Sequence, residues 1–121
     1  MIYIVDDDQH IRNGLMILLK SAGYDSISFE SAEAFLDNYQ EGVNDLLILD
    51  IILTGMNGFD LLDKIEEMGM RVTVIIVSAF ANPRNRERCR DYKIKASLQK
   101  PVDGESLIAI ISYDISNDNT E

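Results

Sequence analysis

Six side chains suited to acid, metal or phosphoryl chemistry follow short runs that read as strands, five of them after apolar runs. Asp6, Asp7 and Asp8 come after Ile2-Tyr3-Ile4-Val5, Asp50 after Leu46-Leu47-Ile48-Leu49, Ser78 after Val72 to Val77, and Lys100 after Lys95 to Gln99. If the runs are parallel strands, their ends meet on one rim, where ligands bind in such sheets. Carboxylates crowded there repel one another and would take up protons unless a cation sat among them. Mg²⁺ suits such a cluster: it takes oxygen ligands, keeps several waters, and is commonly held by one or two carboxylates and a phosphate oxygen. A hard cation, a Lys point charge and a hydroxyl donor could together neutralise a phosphoryl group in flight. The chemistry these residue types imply is phosphoryl transfer onto a carboxylate.

The elements that must position them alternate between Ile/Val/Leu runs and stretches of helical periodicity, the pattern of βαβ units on a parallel sheet. Ile2 to Val5 is too uniformly apolar for a one-sided sheet and suits a strand covered on both faces. Ile11, Leu15, Leu18, Leu19 and Ala22 then fall at helical spacing, and Gly23 stands where a left-handed cap is wanted. Asp25 to Phe29 reads as an amphipathic edge strand, and Ser31 as the N-cap of a helix holding Ala34, Phe35 and Tyr39. Leu46 to Leu49 is the third strand. Asn57-Gly58 opens a third helix with Phe59, Leu62 and Ile65 inward, closed by Gly69, and Val72 to Val77 is the fourth strand. The helix expected from Pro83 to about Tyr92 has almost no large apolar residues and should pack weakly and be mobile. After a strand near Lys95 to Gln99, a last helix runs from Glu105 to about Tyr113, and residues 116–121 read as a frayed tail.

The composition of the 121 residues, 46% of them hydrophobic, fits one domain at residues 1–115 with a single core. No apolar run approaches the roughly 20 residues of a membrane span, and Asp6 comes too early for a signal-peptide core, so a cytoplasmic protein is expected. The single cysteine, Cys89, has no metal-ligating neighbour in sequence and reads as a small buried side chain. A net charge of −10 argues against general binding to nucleic acid or to an anionic membrane. The charge is uneven: residues 84–100 hold seven of the eleven basic side chains against Glu87 and Asp91, which leaves four basic and nineteen acidic side chains elsewhere.

Taken in order, IVDDD, LLILDIILTGMNG, VIIVSA and LQKPV resemble the receiver domains of bacterial response regulators, and the resemblance spans essentially the whole chain. It implies a doubly wound, five-stranded parallel sheet of order 2-1-3-4-5, the flavodoxin-like or CheY-like three-layer sandwich. It further implies Asp50 as phosphoacceptor, Mg²⁺ as cofactor with Asp7 as a direct ligand, Asp6 as a ligand through water, and the Ile52 backbone carbonyl as another. Lys100 would bond the phosphoryl oxygens, or Asp50 itself before modification, and Ser78 would swing its hydroxyl onto the phosphoryl group. The Lys100-Pro101 bond would be cis. The implied role is a phosphorylation-dependent switch, catalytic only towards itself. Its partners would be a sensor histidine kinase or phosphotransfer protein on one side, and on the other an effector protein, an effector domain or a second copy. The fourth helix, fifth strand and fifth helix would form the output surface, with no direct nucleic-acid or membrane contact by this domain.

Three departures from the family pattern bear on the switch. Leu53-Thr54 replaces the usual Met-Pro, which frees a backbone N–H and should loosen the loop after Asp50. Ser97 replaces the usual aromatic residue three before the Lys, so either Tyr92 or Phe80 substitutes for it or the fourth helix relays the signal alone. Ile52 and Phe80, which flank the attack path in the family, are apolar and should hinder an in-line water.

Plainer readings stand beside these. Asp8 suits an N-cap of the first helix better than a metal ligand, and His10 a solvent-facing position rather than that of a phosphoryl donor. The arginine-rich helix is equally well a solvated face or a docking face. A haloacid-dehalogenase-like phosphohydrolase with Asp6 as nucleophile also matches an Asp-x-Asp start, but has Thr or Val where His10 stands. A receiver-like module that binds partners without phosphorylation is the third reading. No P-loop or G-x-G-x-x-G motif is present.

Overall fold

In the computed structural model, which describes residues 1–80 and 82–118, β1 (Ile2–Val5), β2 (Ser26–Phe29), β3 (Asp45–Leu49), β4 (Val72–Ser78) and β5 (Ala96–Gln99) form one parallel sheet of order β2-β1-β3-β4-β5. Helices α1 (Gln9–Ser21), α2 (Ala32–Asn38), α3 (Gly58–Glu67), α4 (Pro83–Arg88) and α5 (Gly104–Asp118) connect and cover the strands, and a 3₁₀ turn, Cys89–Asp91, follows α4. The expected architecture is the observed one.

The uniformly apolar central strands are explained by burial on both sides. Every residue of β1 and β3 is buried, and alternate side chains serve different cores. Tyr3, Val5, Leu47, Leu49, Val74 and Ile76 face a core with Phe35, Phe59 and Leu62. Ile2, Ile4, Leu46, Ile48, Ile75 and Val77 face another with Leu15, Leu19, Leu107 and Ile111. Each fully buried aliphatic side chain contributes about 1.5–3 kcal/mol, so a polar substitution at Ile4 or Leu47 would destabilise the sheet by about that much or more. β2 and β5 are edge strands, only half-buried, as the amphipathic Asp25 to Phe29 segment predicts.

Local signals set the helix ends. Asp8 caps α1 by accepting from the His10 and Ile11 amides at 2.8 and 3.3 Å, and His10 is exposed, as the plainer readings have it. Ser31 caps α2, and Asn57 with Asp60 makes a capping box on α3. Gly23 and Gly69 take the left-handed conformation just past α1 and α3. Two expectations need correction. α5 runs on to Asp118, and Ile115 still packs against the core beyond the predicted end; residues 116–118 are helical, and 119–121 lie outside the described residues. The fourth helix is shorter than expected. α4 ends at Arg88 with no buried residue, and the chain tightens into the 3₁₀ turn where Cys89, 2% exposed, enters the core.

Candidate functional site

The C-terminal ends of β1, β3, β4 and β5 bring Asp6, Asp50, Ser78 and Lys100 together. Asp6, Asp50 and Ser78 are buried, whereas Asp7 is exposed at the rim. The Lys100 ammonium bridges two strands, donating to Asp6 Oδ2 at 2.8 Å and to Asp50 Oδ2 at 2.7 Å. Asp50 Oδ1 accepts from the Ser78 hydroxyl at 2.8 Å and from the Ile52 amide at 3.0 Å. The Ser78 hydroxyl is thus aimed at the Asp50 carboxylate. Asp6 Oδ1 accepts from the Asp8 amide at 2.9 Å, and Arg12, in the first turns of α1, donates to the Asp6 backbone carbonyl at 2.7 Å. The Lys100-Pro101 bond is cis.

The electrostatics are those of an acid-rich site with a single ammonium inside it. Burial raises the Asp6 pKa, and the opposing hydrogen bonds from Lys100 and the Asp8 amide do not fully offset it; the Asp50 charge adds to the rise. Burial works to lower the Lys100 pKa, but the hydrogen bonds to Asp50 and Asp6 outweigh it and hold the ammonium charged. Asp6, Asp7 and Asp50 each offer a carboxylate oxygen, and these oxygens lie within 4.8 Å of one another. An all-oxygen donor set with excess negative charge fits a hard divalent cation such as Mg²⁺ and does not fit a thiolate- or imidazole-seeking metal. A cleft of about 720 Å³ between Asp45, Arg71 and Lys95 lies at the opposite end of the strands. Chemistry, not size, singles out the strand-end site.

The sequence and this sheet order match a known family. A family model described as the response regulator receiver domain matches residues 2–112. The chain belongs to the response regulator receiver domain family. The sensory/regulatory protein RpfC of Xanthomonas campestris pv. campestris is 35% identical to this receiver domain over 109 residues, 87% of the chain and 15% of RpfC. The transcriptional regulatory protein FixJ of Azorhizobium caulinodans is 26% identical, over 91% of the chain and 52% of its own length. The chain thus spans from about a seventh to about half of these relatives. Among solved structures, a CheY-like receiver domain protein of Methanospirillum hungatei JF-1 superposes with a TM-score of 0.82 at 29% identity, over 98% of this chain and 94% of that one. The response regulator StyR superposes with a TM-score of 0.87 at 25% identity, over 98% and 60%. This membership makes the chain a two-component signalling domain, not an enzyme in the ordinary sense, and decides against the haloacid-dehalogenase alternative. No described helix is long and apolar enough to cross a membrane.

The departures from the family pattern resolve unequally. The loop after Asp50 is not loose. Thr54 Oγ1 donates to Asp7 Oδ2 at 3.1 Å, and the Met56 amide donates to Glu33 Oε2 at 3.2 Å. Sequence reasoning missed Thr54, Glu33 and Arg12 as neighbours of the site; only Arg12, one helical turn beyond Asp8, carried a local signal. Phe80 is buried in the core at a left-handed φ of 49°, and Arg86 lies over its ring, 5.2 Å from the centroid. A positive φ at a bulky residue stores strain in the β4–α4 connection. Tyr92 stacks on Phe59 and donates to Asp63 at 2.7 Å. Ser97 is exposed on β5, opposite Ile76.

Proposed function

We propose that this receiver domain is a phosphorylation-dependent switch with Asp50 as its acceptor. A carboxylate oxygen of Asp50 attacks the phosphorus of a phosphohistidine on a sensor histidine kinase or phosphotransfer protein. The P–O bond forms as the P–N bond breaks, and the imidazole leaves with the bonding pair. Mg²⁺, held by Asp6, Asp7, Asp50 and the Ile52 carbonyl, would supply positive charge against the phosphoryl oxygens. Lys100 holds Asp50 in place before transfer and bonds a phosphoryl oxygen after it, while Ser78 transfers its hydroxyl hydrogen bond from Asp50 to the phosphoryl group. The observation that carries this reading is the Lys100 ammonium within 2.8 Å of both Asp6 and Asp50. The signal leaves through the surface of α4, β5 and α5, which controls an effector protein, an effector domain or a second copy in the cytoplasm.

Acetyl phosphate with Mg²⁺ should raise the intact mass by one phosphoryl group in the wild type and not in Asp50→Asn. An adduct that persists in Asp50→Asn would move the acceptor elsewhere. No adduct in the wild type would favour a module that binds partners without phosphorylation.

A further inference from the structure

The three carboxylates of the cluster are not held equally. Asp50 is fixed by Ser78, Lys100 and the Ile52 amide, and Asp6 by Lys100 and the Asp8 amide. Among the described residues the Asp7 carboxylate has one hydrogen-bond partner, the Thr54 hydroxyl at 3.1 Å. Asp7 is exposed, so without that bond its side chain would be left to rotate in solvent.

Thr54 is in turn delivered by a loop with its own restraints. Gly55 adopts a φ of 77°, and a Cβ there would come within 2.8 Å of Glu33 Oε2. Having no Cβ, it lets the Glu33 carboxylate of α2 close on the Met56 amide at 3.2 Å. On the far side, the Gly58 amide donates to the Ile51 carbonyl at 2.9 Å. The loop is therefore tied to α2 next to Thr54 and to the end of β3 just beyond. Proline, which the family pattern usually has in place of Thr54, carries no hydroxyl and could not make the bond to Asp7.

We propose that Thr54 is a positioning residue of the metal centre: its hydroxyl occupies one Asp7 oxygen, leaves the other for the cation, and is held in place by the Glu33–Met56 latch. The proposal rests on the reading of Asp6, Asp7 and Asp50 as a Mg²⁺ site. An ordered partner behind a metal-binding carboxylate lowers the cost of arranging it, and losing such partners typically weakens metal binding by about 10- to 100-fold. Because this bond is exposed, roughly a three- to tenfold loss is expected here.

The test is isothermal titration of Mg²⁺ into the unphosphorylated protein, paired with melting curves in the absence of metal. Thr54→Val keeps the shape and removes the hydroxyl, so it should weaken binding by that factor with little change in melting temperature, whereas Thr54→Ser should bind as the wild type does. Glu33→Ala should weaken binding in the same direction and by less. Wild-type affinity in Thr54→Val, or an equal loss in Thr54→Ser, would overturn the role of Thr54. An unchanged affinity in Glu33→Ala would remove the latch. A wild type that binds no Mg²⁺ at millimolar concentration would bring down the metal-site reading itself, and this proposal with it.

Discussion

Replacing Lys100 by Met keeps most of the side chain's volume and removes the ammonium that holds two buried carboxylates. Lys100 makes two charge-assisted hydrogen bonds, of 2.8 and 2.7 Å, to side chains only 4% and 7% exposed, and is itself 18% exposed. Such bonds contribute roughly 1.5–3 kcal/mol each, and recovering the desolvation of the ammonium offsets part of the sum. The expected loss is roughly 2–4 kcal/mol at neutral pH, about 10 °C in melting temperature for a domain of this size. The sign of the pH dependence follows from Asp6. Its pKa is already above the ordinary carboxylate value, because burial disfavours the charge. Without Lys100, the folded-state pKa of Asp6 would rise further above its unfolded value. The folded variant then binds protons more tightly than the unfolded chain, so it loses stability as pH rises from the unfolded pKa through the folded one. The deficit against the wild type should be large at neutral pH and shrink as pH falls into the ordinary carboxylate range. Mg²⁺ should restore part of it by supplying the missing positive charge. Urea denaturation of both proteins across that range, with and without Mg²⁺, measures all of this. A Lys100→Met protein as stable as the wild type at neutral pH, or a deficit independent of pH, would refute the reasoning.

Three further outcomes are expected. Gly58→Ala should cost about 1–3 kcal/mol, because the added Cβ would lie 2.6 Å from Ile51 Cα and 2.8 Å from the Asp50 carbonyl oxygen, both backbone atoms; an unchanged melting temperature would show that the close approach is slack. Tyr39 donates to Asp45 Oδ2 at 2.9 Å, and its pKa lies well above 10.0, through burial first and the Asp45 carboxylate second. Its contribution is therefore present below pH 10.0 and lost as pH rises beyond it, and Tyr39→Phe should show a smaller alkaline loss of stability; identical alkaline curves for the two proteins would argue against the assignment. Phospho-Asp50 should hydrolyse slowly, because Ile52, 53% exposed, offers no polar group to orient a water; a half-life as short as that of fast chemotaxis-type receivers in purified protein would contradict this.

Much of this domain is legible in its residues. Ile2 to Val5 and Leu46 to Leu49 are apolar at every position, and that alone demands strands covered on both faces, hence a parallel sheet between helix layers. Given the sheet, chain direction forces Asp6, Asp50, Ser78 and Lys100 to one rim, so the candidate site follows from strand-end residues without any knowledge of distances. Caps are equally local: Asp8, Ser31 and Asn57 each act on amides two or three residues ahead.

What tertiary structure alone decided are contacts between segments distant in the chain. The Thr54 to Asp7 bond spans 47 residues and the Met56 to Glu33 bond 23, and nothing in LTGMNG announces either one. Reading that loop from the missing proline alone predicts looseness, because proline's effect is local while the restraints that replace it are not. The shortened α4 and the lengthened α5 have the same cause: burial of Cys89 and Ile115 depends on which neighbours the fold supplies. Residue types and strand order together suffice to say that Asp6, Asp50, Ser78 and Lys100 meet at one rim. How firmly each is held, and by what, depends on packing across the sheet, where unequal restraint leaves Asp7 resting on a single hydroxyl.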